Sequence, residues 1–111
     1  MKIQESRQGA VTVLKPSGPL TLNDAVEFRT LAMRVLSGSL GRFLVDMSAI
    51  PFVDSQGLEA LLDVTEQLGA SGQMLKLCAA NKTVREVMTL TGLSAQFEHF
   101  DDVNTAVRSF L

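Results

Sequence analysis

Short strand-like runs alternate with segments of helical spacing along the 111 residues, and this alternation limits the possible folds more than any other feature. The runs at 10–15, 43–45 and 74–78 are rich in apolar or β-branched residues, and a segment with helical spacing follows each one. Such alternation is typical of parallel strands joined by helical crossovers. We therefore predict an α/β fold with a four-to-five-stranded, mostly parallel (mixed) sheet covered by about four helices. A chain of this length has room for one core, so residues 1–111 are expected to form one domain.

The first two predicted helices follow the first two strands. Residues 21–36 contain no Gly or Pro, and we expect this helix to end before Gly38. Its apolar side chains at near-helical spacing are Leu22, Val26, Met33 and Leu36. The second helix follows a turn over 48–54, and the side chains predicted to face its core are Leu58, Leu61, Leu62, Thr65 and Leu68. Its opposite side, with Glu59, Asp63 and Glu66, is predicted to face solvent or a partner.

The last third of the chain predicts two more helices and a short edge strand. Asn81 is the expected N-cap of the third helix, and Gly92 stands where a left-handed residue usually ends one. Phe97 marks the edge strand. Asp101 or Asp102 is the expected N-cap of the last helix, whose apolar side chains are Val103, Ala106, Val107 and Phe110.

Composition argues against several classes of function. The net charge of −2 and the absence of Trp and Tyr argue against a nucleic-acid binder. The single cysteine, Cys78, cannot form an internal disulfide, and no apolar run is long enough to span a membrane. We therefore expect a cytoplasmic protein with no nucleic-acid partner and no direct membrane insertion.

Enzymatic motifs are equally scarce. The single histidine, His99, and the single cysteine cannot build a His/Cys metal site, and neither a nucleophile elbow nor a glycine-rich phosphate loop is present. We expect no enzymatic activity, no metal and no cofactor. His99 is interpreted as a surface or half-buried structural residue, and Cys78 as an inert core thiol.

The most informative stretch is 45–58, where a buried strand leads through a turn into the second helix. Asp54 and Ser55 fall at the helix N-terminus, where free backbone N–H groups favour an oxygen ligand or an anion. One of the two residues is expected to be the N-cap, and an exposed serine here could also carry a phosphoryl group. Residues 43–75 contain five acidic residues and no Lys or Arg, which predicts an acidic face that either receives a basic partner or is simply solvated.

This stretch resembles the motif of the STAS family, the domain shared by anti-sigma factor antagonists and the cytoplasmic tails of sulphate transporters. In that family an apolar strand leads into Asp-[Leu/Met]-Ser, and an apolar pair then precedes Asp-Ser-x-Gly-Leu at the start of a helix. The matching segments here are Val45-Asp46-Met47-Ser48, Phe52-Val53 and Asp54-Ser55-Gln56-Gly57-Leu58. Gly18-Pro19-Leu20 is similar to the Gly-x-Leu found before the family's first helix.

The resemblance implies an anti-sigma factor antagonist that switches partners. In that scheme an anti-sigma factor with serine-kinase activity phosphorylates the antagonist, and a phosphatase reverses the reaction. The unphosphorylated antagonist binds the anti-sigma factor and so releases the sigma factor. The residue matching the phosphorylated serine is Ser55. The partner-binding residues that the resemblance implies are Asp54, Ser55, Gln56, Gly57, Glu59, Asp63, Thr21 and Asn23.

Two departures from the family pattern matter. Gln56 stands where many antagonists have a second Ser or Thr, and Thr21 stands where sporulation-type antagonists often have an acidic residue, which puts the partner contacts there in doubt. The alternative function is a STAS scaffold or subunit that is never phosphorylated, such as the small subunit of a lipid-trafficking ABC transporter, which typically has Thr in place of the serine. A small hydrolase using His99 is a third and more distant alternative.

Overall fold

Five strands form one mixed sheet in the order β1-β2-β3-β4-β5. The computed structural model describes all 111 residues. The strands are β1 (Lys2–Gln8), β2 (Val11–Ser17), β3 (Phe43–Asp46), β4 (Leu75–Cys78) and β5 (Phe97–Phe100). β1 and β2 form an antiparallel hairpin, whereas β2 through β5 are parallel. The predicted α/β fold with a mostly parallel mixed sheet is confirmed.

Helices cover both faces of the sheet, with three helices on one face and one on the other. They are α1 (Leu22–Ser39), α2 (Ser55–Gly69), α3 (Lys82–Leu90) and α4 (Val103–Arg108), with a 3₁₀ turn at Ser94–Gln96. α1, α2 and α3 contribute side chains to a core of 21 buried residues on one face. The other face has a smaller core in which Ala106 of α4 packs on β-strand side chains. None of these helices has both the length and the apolar character needed to cross a membrane.

The small core under α4 is closed by the end of the chain. Cys78 and Ala106 are buried there, and Phe100 and Phe110 pack against them. The Lys76 ammonium lies 4.7 Å from the centre of the Phe110 ring and 5.3 Å from that of Phe100, and its Nζ is 3.4 Å from Glu98 Oε2. A cation over aromatic rings is attracted by their π faces. These contacts hold the last residues against the sheet.

β1 was not predicted from the sequence. Its one apolar residue beyond Met1 is Ile3, which is half-buried, and the rest of the strand is exposed. β1 therefore lacks the alternation that identifies a strand, and it is held by backbone pairing with β2 from Lys2 opposite Ser17 to Gln8 opposite Val11. The turn between the strands uses Gly9, whose φ of +63° is easily reached by glycine.

The predicted first helix is present, but not all of the apolar side chains that indicated it are buried. Leu22 and Val26 are 60% and 58% exposed. The buried positions of α1 are instead Ala25, Phe28, Ala32 and Val35. This set has helical spacing as well, and its small alanines let α1 lie against α2, so larger apolar residues were displaced to the surface. The helix also continues past the predicted end at Gly38 to Ser39.

The other helices agree more closely with their predictions. Leu58, Leu61, Thr65 and Leu68 of α2 are buried, and Leu62 is half-buried. Asn81 caps α3 by accepting a hydrogen bond from the Val84 N–H (2.8 Å), and Asp102, not Asp101, caps α4. Gly92 has a φ of +74°, the left-handed conformation expected after a helix.

Candidate functional site

The loop between β3 and α2 is fixed at three points before it reaches Ser55. At its start the buried Asp46 carboxylate accepts a hydrogen bond from the Ser48 N–H (3.0 Å). In its middle the Asn81 side-chain amide donates to the carbonyl oxygens of Ile50 (3.2 Å) and Pro51 (3.1 Å). Near its end Val53 forms a parallel bridge with Leu20. The loop is therefore held by its own strand, by the start of α3 and by the connection between β2 and α1.

The Asp54 carboxylate connects the N-termini of two helices. Oδ1 accepts a hydrogen bond from the Gly57 N–H (2.8 Å), which makes Asp54 the N-cap of α2. Oδ2 accepts one from the Leu22 N–H (3.0 Å) at the start of α1. Thr21, which is half-buried, occupies the N-cap position of α1 without a capping side-chain bond. Asp54 thus satisfies orphan donors of both helices, and the question of which residue caps α2 is settled in favour of Asp54.

Ser55 is the first residue of α2, and its side chain is exposed. The first N–H groups of a helix have no partner within the helix. Of these, the Gly57 N–H donates a hydrogen bond to Asp54. The N–H groups of Ser55 and Gln56 belong to the same first turn and lie close to the Ser55 side chain. An oxyanion attached to Ser55 would meet the positive end of the α2 dipole. A group attached to the Ser55 hydroxyl would therefore lie on the surface and not in the core.

Gly57 does not lie on the surface as the resemblance implied for a partner-binding residue. It is buried, and a Cβ on it would collide with the Leu20 carbonyl oxygen and lie 2.7 Å from Val53 Cγ1. Its role here is to let the first turn of α2 approach the connection between β2 and α1. Gln56, Glu59 and Asn23 are the exposed members of the predicted set besides Ser55.

The predicted acidic face is weaker than the sequence suggested. Asp46 is buried at the end of β3, and Asp54 serves as a cap. Asp63 is only 34% exposed and lies 2.9 Å from the Arg29 guanidinium of α1, so its charge is paired. Glu59 and Glu66 are the exposed acidic residues of α2. The sequence could not show this pairing, because Arg29 lies outside the acidic stretch 43–75.

An apolar patch next to Ser55 went unnoticed in the sequence. Leu22 and Val26 of α1 project from the helix, and Phe52 of the loop is 47% exposed. Between α1 and α2 lies a notch of about 100 Å³, and the residues lining it are Leu22, Ala25, Val26, Arg29, Gln56, Glu59 and Ala60. Exposed apolar groups beside a notch are typical of protein interaction sites. The signal was present as Leu22 and Val26, but these were used only as apolar side chains at helical spacing.

The two residues considered for catalysis lie away from this site. His99 is exposed, and its Nε2 lies 2.8 Å from the Ser94 carbonyl oxygen. Cys78 is buried beneath α4, and its pKa is raised to about 12, chiefly by burial and further by the carboxylates of Asp46 and Asp102. Ser55, His99 and Cys78 are not brought together.

Comparison with known proteins decides the family. The model of the STAS domain matches residues 2–106 of the chain. The chain belongs to the STAS family. A comparison with curated protein sequences found no match.

Three of the solved structures that share this fold have low sequence identity to the chain. A putative anti-sigma factor antagonist from Thermotoga maritima is 20% identical with a TM-score of 0.88, and the match covers 96% of this chain and 92% of that one. The Bacillus cell fate determinant SpoIIAA in its phosphorylated form is 18% identical with a TM-score of 0.72, covering 99% and 100%. Murine Slc26a9, an anion transporter, is 19% identical with a TM-score of 0.71, and the match covers 91% of this chain but 17% of the transporter.

Proposed function

We propose that this STAS protein, with residues 1–111 as one domain, is a cytoplasmic anti-sigma factor antagonist controlled by phosphorylation of Ser55. The unphosphorylated form binds an anti-sigma factor with serine-kinase activity, and a phosphatase restores it after phosphorylation. The protein itself is a binding module and not an enzyme. The observation that carries the proposal is the exposed Ser55 at the start of α2, next to exposed apolar side chains.

The surroundings of Ser55 support a switch that acts on the complex and not on the fold. Asp54 supplies the cap, so the Ser55 hydroxyl is free to be modified without a loss of helix capping. A phosphoryl group adds about −1.5 to −2 charges at neutral pH. Glu59 lies one helical turn after Ser55 on the same face, so a partner seated there would meet added negative charge and bulk together.

Partner binding is proposed to use the apolar patch described above, together with Gln56, Glu59 and Asn23. The notch between α1 and α2 has roughly the volume of one apolar side chain. Leu22 and Val26 flank it, and burying them on a partner would each contribute about 1.5–3 kcal/mol before binding costs. Because the acidic face is small, apolar contact contributes more to this surface than charge attraction.

Three substitutions of Ser55 test the switch. Each purified variant is titrated by calorimetry with purified anti-sigma serine kinases from the same organism, and phosphate transfer from ATP is located by mass spectrometry. We expect Ser55→Ala to bind as the wild type does and to accept no phosphate. Ser55→Asp is expected to bind at least tenfold more weakly, and Ser55→Thr to behave most like the wild type.

A matched control separates local charge from net charge. Ser71 is an exposed serine beyond the far end of α2, so Ser71→Asp adds the same charge away from the site. We expect Ser71→Asp to bind like the wild type. If Ser55→Asp binds as tightly as Ser55→Ala while both are folded, the charge switch is wrong and a scaffold that is never phosphorylated takes its place.

A further inference from the structure

A second cavity lies at the opposite end of the sheet from Ser55, between the β1–β2 hairpin and the last turns of α1. Its volume is about 290 Å³. The residues lining it are Glu5, Arg7, Thr12, Arg34, Val35, Gly38 and Ser39. Only Val35 among them is a large apolar residue, so the cavity is suited to a polar ligand.

Neither of the two guanidinium groups at this cavity forms a close ion pair. Arg34 NH2 lies 3.9 Å from Glu5 Oε1, at the limit of an ion pair, and the Arg34 and Glu5 side chains are 73% and 47% exposed. Arg7, opposite Thr12 in the β-hairpin, forms no salt bridge. The two arginines and Glu5 therefore leave one net positive charge at the cavity. Arginine presents several N–H donors in a planar fork that matches the oxygens of a phosphate group.

The Ser39 hydroxyl supplies an independent indication of a ligand. Its Oγ is the one buried side-chain polar atom of the protein that has no hydrogen-bond partner. Buried polar groups are normally satisfied, so such an atom calls for a water, an ion or a ligand. Ser39 lines the same cavity as the two arginines.

The end of α1 does not oppose an anion as strongly as a free helix C-terminus would. The Leu36 carbonyl oxygen accepts hydrogen bonds from the N–H groups of Leu40 and Gly41, and the Ser39 carbonyl oxygen accepts one from Arg42. Carbonyl groups that already accept hydrogen bonds present less unsatisfied negative charge to the cavity.

We propose that this cavity binds a small phosphate-bearing molecule, with Arg7 and Arg34 on the phosphate oxygens and the buried Ser39 hydroxyl rotating toward the ligand as a further donor. Ligand binding draws the Arg34 guanidinium away from Glu5, because the guanidinium groups of both arginines turn to the phosphate. The site is separate from Ser55, so this proposal does not depend on the proposed partner switch.

The proposal is tested by following backbone amide signals of ¹⁵N-labelled protein by NMR during titration with inorganic phosphate, then with glycerol 3-phosphate, at constant ionic strength set with NaCl. We expect saturable shifts confined to residues 5–12 and 34–42. Arg34→Gln and Arg7→Gln are each expected to weaken binding at least tenfold, and Ser39→Ala at least threefold. Arg108→Gln removes an equal charge from α4 on the other face of the sheet and is expected to leave the affinity unchanged.

Two results would overturn the proposal. Shifts that grow linearly without saturation show that no phosphate site exists at this cavity. Equal weakening in Arg34→Gln and Arg108→Gln shows attraction by net charge alone. Ser55→Asp should retain the wild-type affinity for phosphate, which distinguishes this site from the α2 N-terminus.

Discussion

The first turns of α2 and α4 both begin with an aspartate N-cap, but the two caps serve different amounts of structure. The Asp54 carboxylate accepts hydrogen bonds from α2 and from α1, whereas Asp102 accepts one within its own helix, from the Thr105 N–H (2.7 Å). α2 has 15 residues, seven of them buried, and α4 has six, of which only Ala106 is buried. Ser55 therefore lies at a junction of two helices, where Asp54 fixes the backbone beneath it.

The strongest test of this contrast is Gly57→Ala. The added Cβ would collide with the Leu20 carbonyl oxygen, and backbone cannot move aside as a flexible side chain can. We expect the free energy of unfolding to fall by about 3 kcal/mol, measured by urea denaturation. The matched control is Gly69→Ala at the last residue of the same helix, where a Cβ meets nothing within 4 Å. If both variants unfold at the same urea concentration, the start of α2 is not closely packed.

Asp54→Ala is expected to be more destabilising than Asp102→Ala. Loss of one N-cap costs about 1 kcal/mol, so removal of hydrogen bonds to two helices should lower the free energy of unfolding by about 2 kcal/mol. Hydrogen exchange should speed up at both the Leu22 and the Gly57 amides. Asp102→Ala should affect exchange only in α4. A larger loss of stability from Asp102→Ala than from Asp54→Ala would contradict the two-helix role of Asp54.

The pH dependence of stability due to Cys78 measures how well the small core under α4 is shielded from solvent. Its pKa is raised to about 12 in the folded protein from an ordinary value of 9.0, mainly by burial. The unfolded chain therefore ionises first as the pH rises, and folded stability falls above pH 9. The free energy of unfolding at pH 10 should be about 1.4 kcal/mol lower than at pH 8 on account of this group. Cys78→Ala should lack this part of the pH dependence, so equal slopes for both proteins would show an accessible thiol.

The smallest expected effect on stability is that of Ser55→Ala. Since Asp54 is the cap and Ser55 is exposed, the free energy of unfolding should change by no more than about 0.5 kcal/mol. Thermal unfolding followed by circular dichroism, beside Asp54→Ala as the reference, measures it. A loss near 2 kcal/mol would mean that the Ser55 hydroxyl holds the helix start and that phosphorylation must disturb the fold.

Elements that bury apolar side chains could be predicted from the sequence, and so could the site motif. β3, β4 and α2 carry enough apolar residues at regular spacing to identify them, and Asn81 and Gly92 mark the ends of α3 by capping chemistry that acts within a few residues. Ser55 at the start of α2 follows from the same local change of spacing. Local signals therefore suffice where side chains near in sequence decide the structure.

Features set by contacts between distant residues could not be read in this way. The pairing of Arg29 with Asp63 joins α1 to α2 across 34 positions, and it removes a charge that the sequence assigned to the docking face. The choice between the two stripes of α1 depends on how closely that helix approaches α2. The second hydrogen bond of Asp54, to Leu22, is likewise invisible until the two loops are brought together.

The polar character of β1 affects whether two copies of the protein can pair through their sheet edges. β1 is an edge of the sheet, so one side of its backbone is left without a strand partner. Lys2, Glu5 and Arg7 are spread along that strand and exposed. Charged side chains on an edge strand oppose pairing with a second edge and so resist aggregation. The strand that was hardest to recognise in the sequence thus carries charges that oppose extension of the sheet at this edge.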